Sequence, residues 1–378
     1  MWQSFLSFLG PLVLGIVLTT AVEAVSGKTW GVFLRQRFQR RASKRLQNLG
    51  RRDDLLRRGA ESMYVIEFVP DGWTTDNVIF KQRSAVSLDE ALGSADPSHL
   101  PDSVDAIVAA VRAERERLET SQDGWWNGET VAVDVIQTGR RGAHEAPTLA
   151  ITTSPSDHAA ATACSNLWKE HFDSGNAILP ADLDRPIPGM LHAVGLNATL
   201  VTDDGQLVLV RRSPRADSGR GGWHISVNEG MQHLDRNIAG QLDPHLGLVR
   251  GVYEELGLRI SPNNVRFHTA MFDMRRYQFG LLGHIDLSGT GITAADVVMA
   301  RKLGLSKDRF ENSHVEVIPW RFVDVMSKLK EPDWIAHGWL NLAHSAIASF
   351  TPHADALSAL LGERVFSDSN GDKEAAQP

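Results

Sequence analysis

The stretch Arg250–Leu258 (RGVYEELGL) decides how this 378-residue chain is read. On a helix, Arg250 and Glu254 are neighbours one turn apart, so the guanidinium can hold a carboxylate. Glu255 lies beside Glu254 and one turn from Gly251, and Gly257 stands where a helix ends on glycine. Two adjacent carboxylates next to a Gly-rich loop can collect a hard divalent cation, which then bridges diphosphate oxygens and polarises water. A solvated surface helix carrying two glutamates is the plainer reading of the same nine residues.

Working outward, LHAVGLNATLVT (191–202) and QLVLVRRS (206–213) flank Asp203-Asp204-Gly205, a clear hairpin. A loop rich in Gly and Arg (213–222) leads to WHISVNEGM (223–231). After the helix, RFHTAMFDM, YQFGLLGHIDL and VEVIPWRFV read as strands and Trp334–Phe350 as an amphipathic helix. This order resembles the Nudix hydrolase family over about Leu191–Phe350, and RGVYEELGL is similar to the second half of its box, R-E-U-x-E-E-x-G-U. The resemblance implies an α/β fold, a mixed-sheet α/β/α sandwich. It also implies hydrolysis of a nucleotide-type substrate, a nucleoside diphosphate linked to another moiety, with Mg²⁺ or Mn²⁺ held by the box glutamates. On that reading Glu254 and Glu255 hold the cation or deprotonate the water, Arg250 orients them, and Gly230 makes a backbone contact.

The match has departures. The family's first box glutamate is Gly251 here. Gly230 lies 20 residues before Arg250, so the alignment needs an insertion of about six near Ile238–Asp243. With that gap, Asp235 falls within one residue of the upstream box glutamate. Glu229 and Asp235 are the candidates to replace the missing metal ligand, or else turn-forming and capping residues. Glu311 and Glu316 are placed for a late-loop glutamate. Arg211 and Arg212, with Arg215 and Arg220, have the fork geometry to grip a diphosphate. His224, His233 and His245 around the loop read as hydrogen-bonding residues. Gly251 keeps a second function open, a Nudix-fold binding module that senses its ligand without turnover.

The chain as a whole is 42% hydrophobic and 22% charged with one cysteine, which supports a packed core and excludes a disulfide framework or a multi-thiolate zinc site. The net charge of −7 argues against nucleic acid. Charge is uneven, however: residues 28–58 hold eleven Lys/Arg against two Asp. Phe5–Val25 is 21 residues with one charge, long enough to span a bilayer. It reads as an uncleaved anchor, with a signal peptide as competitor, and the basic collar after it places the soluble part on the cytosolic side and against anionic lipid. The expected organisation is an anchor (1–27), a basic juxtamembrane helix (28–60), an α/β unit (61–180), the Nudix-like unit (186–352) and a C-terminal segment with a disordered tail (353–378). In the first α/β unit, MYVIEFV and VIFKQRS read as strands around a turn at Pro70-Asp71-Gly72. Asp102–Thr120 and His158–Phe172 read as helices, VAVDVIQTG and PTLAITTS as strands, and Cys164 as a core residue.

Overall fold

The computed structural model describes residues 55–58, 61–120, 127–180, 182–190, 192–214, 219–307 and 312–361. The stretches read as an anchor (Phe5–Val25), most of the basic collar and the polar tail after Ser367 lie outside the described residues. The single-pass membrane location is corrected: among the described residues, no helix is long and apolar enough to cross a membrane. The end of the expected juxtamembrane helix is also different, since Leu55–Arg58 is a short strand, β1.

A mixed sheet of twelve strands organises the protein. Its path runs β1, β2 (Glu61–Trp73), β10 (Val265–Asp273), β11 (Gln278–Asp286), β6 (His192–Val201), β4 (Glu129–Arg141), β5 (Ala146–Asp157), β3 (Val78–Gln82). β12 (Asn312–Pro319), β7 (Gln206–Arg212) and β8 (Trp223–Ile225) pair in turn beside β6, and β9 (Val227–Gly230) pairs with β6. Two pairs, β6 with β11 and β3 with β5, are parallel. The sheet spans both of the units expected at 61–180 and 186–352. β2 pairs antiparallel with β10, and β4 meets β6 at Ala132↔Ala193 and Val133↔His192, so residues 61–180 and 186–352 share it.

The turn read at Pro70–Gly72 is instead an irregularity inside β2. Between Phe267↔Trp73 and Thr269↔Phe68 the register slips. Gly72 takes φ +73° there, and a Cβ on it would lie 2.3 Å from the Arg266 side chain. A bulge absorbs surplus residues while the strand continues. The link from β2 to β3 is the short 3₁₀ turn Thr75–Asn77.

Helices cover both faces. In chain order they are α1 (Leu88–Gly93), α2 (Val104–Thr120), α3 (His158–Asp173), α4 (Pro244–Gly251), α5 (Ala294–Lys302), α6 (Phe322–Leu329), α7 (Ala336–Ser349) and α8 (Ala354–Leu361). VEVIPWRFV, read wholly as strand, ends its strand at Pro319, and α6 begins at Phe322. Cys164 is buried in α3, and burial pushes its thiol up to about 12, as suits a core residue.

Strand β6 is the central divider, because alternate residues face opposite layers. Leu196 faces α4: a Cβ on Gly247 would come within 2.5 Å of Leu196 Cδ1, so glycine lets the helix approach without moving that side chain. Asn197 faces the other way. It shares a sheet row with Leu282 and Thr269, and Thr269 Oγ1 lies 2.8 Å from His344 Nδ1 on α7.

Under α7 a chain of neutral hydrogen bonds crosses the core. Ser345 Oγ donates to Asn341 Oδ1 (3.2 Å), so it must accept from His268 Nε2–H (3.0 Å). His268 Nδ1 then accepts from the Thr269 hydroxyl (2.8 Å), which in turn accepts from His344 Nδ1–H. Burial holds His268 well below the usual histidine range and His344 down at about 3. Phe68 of β2 stacks on His344 at 4.1 Å.

Candidate functional site

Helix α4 is set by its ends and its apolar side. Asp243 caps it by accepting from His245 N–H (2.9 Å), and Pro244 follows at the first helical position. Leu248, Val252 and Leu256 recur every fourth residue and are buried. Each contributes about 1.5–3 kcal/mol by leaving water. The last turn, Val252–Leu256, widens to π geometry and carries both glutamates. Gly257 closes it at φ +73°, where a Cβ would strike Leu305 at 2.9 Å.

Arg250 is the hub. Its Nε and Nη2 form a fork on Asp235 at 2.9 and 3.0 Å. Its Nη1 reaches Glu254 Oε2 at 3.0 Å and Glu229 Oε1 at 3.1 Å, and Nη2 also donates to the Gly230 carbonyl at 2.7 Å. Burial works against the charge, but the Asp235 fork and the neighbouring carboxylates outweigh it and keep the guanidinium charged. Asp235 is further fixed by Gln232 N–H at 2.8 Å. Glu254 also lies 3.5 Å from the exposed Lys307 ammonium.

Glu255 points elsewhere. It is 4% exposed. Its Oε1 accepts from Asn228 N–H (2.8 Å) and its Oε2 from the Asn312 amide (3.0 Å). The carboxylate ties the helix to β9 and β12. Asn312 has no local sequence signal; only the pairing of β12 with β7 delivers it.

Gly251 explains itself through register. Glu229 sits opposite Leu196, so it faces α4. A Cβ at position 251 would lie 2.9 Å from Glu229 Cβ, 3.0 Å from its Cγ and 3.0 Å from Val227 Cγ1. The space next to Arg250 that a side chain at 251 needs is filled from the strand. Burial pushes the Glu229 carboxyl up to about 7, against the pull of Arg250.

The other predicted residues have separate surroundings. Arg211 is exposed, donates from Nε to the Gly221 carbonyl (2.9 Å) and lies over the Trp223 ring at 5.3 Å. Arg212 is a buried strand residue opposite Asn312. Glu316 is paired with the buried Lys328, whose ammonium sits 3.5 Å from the Trp223 ring centroid. His233 Nδ1 lies 2.6 Å from Glu129 Oε2, without the alignment of a hydrogen bond. His245 caps α4 with Asp243, and His224 Nε2 lies 2.8 Å from His337 Nε2. Glu311 and Arg215 lie outside the described residues.

These positions test the expected Mg²⁺ or Mn²⁺ directly. A hard cation needs about six oxygens converging on one point. Here Glu229, Asp235 and Glu254 converge on a guanidinium, and Glu255 is turned into the core. Among the described residues, no group of three or more His, Cys, Asp or Glu is arranged to hold a metal ion. The donor set present does not fit the cation.

No family model matches this sequence, and no curated protein matches it. Among solved structures the chain is similar to a MutT protein from Methanosarcina mazei Go1, at 16% identity over 40% of this chain and 90% of that one, TM-score 0.27. It is similar to a MutT Nudix hydrolase from Burkholderia pseudomallei, at 16% identity over 40% and 96% of the two chains, TM-score 0.24. A MutT/Nudix family protein from Enterococcus faecalis matches at 13% identity over 41% and 54%, TM-score 0.24.

Proposed function

We propose that this chain carries a Nudix-type domain that binds a nucleoside diphosphate-type ligand and does not hydrolyse it by the metal route. The observation behind this reading is the convergence of Glu229, Asp235 and Glu254 on Arg250, with Glu255 engaged by Asn228 and Asn312. A binding role needs a fixed constellation. Metal-assisted hydrolysis needs carboxylate oxygens free to meet a cation.

A hydrolase is the second reading, favoured by Glu229, a carboxyl near 7 that faces the helix where the box has a glycine. Full-length protein is screened against sugar nucleotides, dinucleotides and coenzyme diphosphates. Thermal-shift binding and phosphate release are followed with Mg²⁺, with Mn²⁺ and with chelator. Binding that persists in chelator, with no release under any condition, is the expected result. Metal-dependent release that disappears in Glu254→Gln would overturn it in favour of the hydrolase. Glu254 is the better probe of chemistry, because Glu255→Gln would set an amide against two buried donors and cost about 1–3 kcal/mol of fold stability.

A further inference from the structure

Three side chains from the N-terminal strands reach the loop Met231–Asp243. Thr130 Oγ1 on β4 donates to the Met231 carbonyl at 2.8 Å. Its neighbour Glu129 lies 2.6 Å from His233. Gln82 Oε1, the last residue of β3, accepts from Arg236 Nη2 at 2.5 Å. The loop is braced internally: Arg236 Nη1 donates to Gly240 O at 2.7 Å, Gln241 N–H to Asn237 Oδ1 at 3.1 Å, and Asp243 N–H to Asp235 O at 2.8 Å. It therefore shifts as one piece. At its site end it carries Asp235, which forks Arg250, and Asp243, which caps α4.

We infer that Gln82, Glu129 and Thr130 are positioning residues for the Arg250 cluster, and that the segment Glu61–Asp173 is coupled to the site through this loop. The coupling is a contiguous physical path, β4 to Met231 and His233, then Asp235, then Arg250, then Glu229 and Glu254. Such coupling is reciprocal: whatever the cluster binds changes how firmly the N-terminal strands hold the loop, by the same factor in each direction. It holds whether the cluster serves binding or hydrolysis, because it concerns only contacts among this chain's own residues.

The readout needs no ligand either. In full-length, ¹⁵N-labelled protein, the Arg250 Nε–H signal reports the fork on Asp235 through its exchange with water. Thr130→Val combined with Gln82→Ala should speed that exchange about fivefold, the effect of a lost hydrogen bond on a local opening. Thr130→Ser, with Gln82 kept, should return the wild-type rate. Asp173→Asn is the control. It cuts an ion pair to Arg275 that ties the same segment to the β10–β11 turn, so it should leave the Arg250 signal unchanged. An Arg250 signal unmoved by the double substitution, or moved equally by Asp173→Asn, would overturn the inference.

Discussion

The two faces of β6 solve the problem of placing polar groups beside a sheet in opposite ways. On the Leu196 face, Glu229, Asp235 and Glu254 meet Arg250 at the rim of α4, and solvent reaches part of the cluster: Arg250 keeps 19% of its side-chain surface, Glu254 21% and Glu229 16%, while Asp235 keeps 4%. On the Asn197 face, His268, Thr269, His344 and Ser345 lie at 2% exposure or less and carry no charge. Charge is kept where desolvation is partial, with Glu229 already pushed up to about 7 by its burial, and deep burial is met with neutral groups in a directed chain. A polar cluster alone therefore does not mark a site. The face that keeps charge and water is the one where a ligand can exchange for them.

The contrast is sharpest at Arg250. Arg250→Met leaves three carboxylates facing each other with only the exposed Lys307 ammonium, 3.5 Å from Glu254, as counter-charge, and should cost about 3–5 kcal/mol. Urea unfolding should show a lower midpoint, with the loss shrinking as salt is added. A loss under 1 kcal/mol would mean that the cluster relaxes freely and is no rigid constellation.

Next in size is the pH response of the charged face. The folded Glu229 carboxyl titrates near 7, above its ordinary 4.5, so folded protein holds a proton that unfolded chain has released. Its contribution is full below about 4.5 and is lost as pH rises through 7, on the order of 3 kcal/mol in all. The buried histidines run the other way, since their folded values lie below their unfolded ones, and they cancel in a difference. Stability of wild type minus that of Glu229→Gln should therefore decline from pH 5 to 7. A flat difference removes Glu229 from the titrating groups.

Thr269→Val probes the neutral face. It strands His344 Nδ1–H and His268 Nδ1 together, and should cost about 2 kcal/mol. Unlike the Arg250 loss, this one should be indifferent to salt. A salt-dependent loss would erase the distinction between the faces.

The smallest effect is steric. Gly251→Ala sets a methyl group 2.9 Å from Glu229 Cβ and should cost about 1 kcal/mol. Adding Glu229→Gly should recover most of it. Failure to recover would show that the Gly251 requirement comes from Val227 instead.

Much of this architecture is legible in the sequence. The apolar runs of β6, β7, β10 and β11 and the fourfold spacing of Leu248, Val252 and Leu256 are local patterns, and so is the Arg250–Glu254 spacing. What was not legible is long-range. Nothing near Met63 announces that β2 will lie against β10, and the surplus residues at Gly72 look like a turn until that partner is known. The same holds at the site. Glu229 and Gly251 can each be singled out, but that one fills the other's space follows only from the β9–β6 register. Asn312 becomes a partner of Glu255 only through β12, and α6 is hidden because Pro319 ends a strand whose apolar pattern runs on.

The pairing of β2 with β10 also sets a timetable. Met63 bonds across to Asp273, so roughly 200 residues separate a strand from its neighbour in the chain. At about 5–20 residues per second of synthesis, β2 waits ten seconds or more for its partner to leave the ribosome. During that interval an apolar strand with a free edge is exposed, the condition that invites mispairing. High sequence separation slows the final closure further. Successful production of this protein thus depends on what shelters residues 61–73 while the rest is still being made.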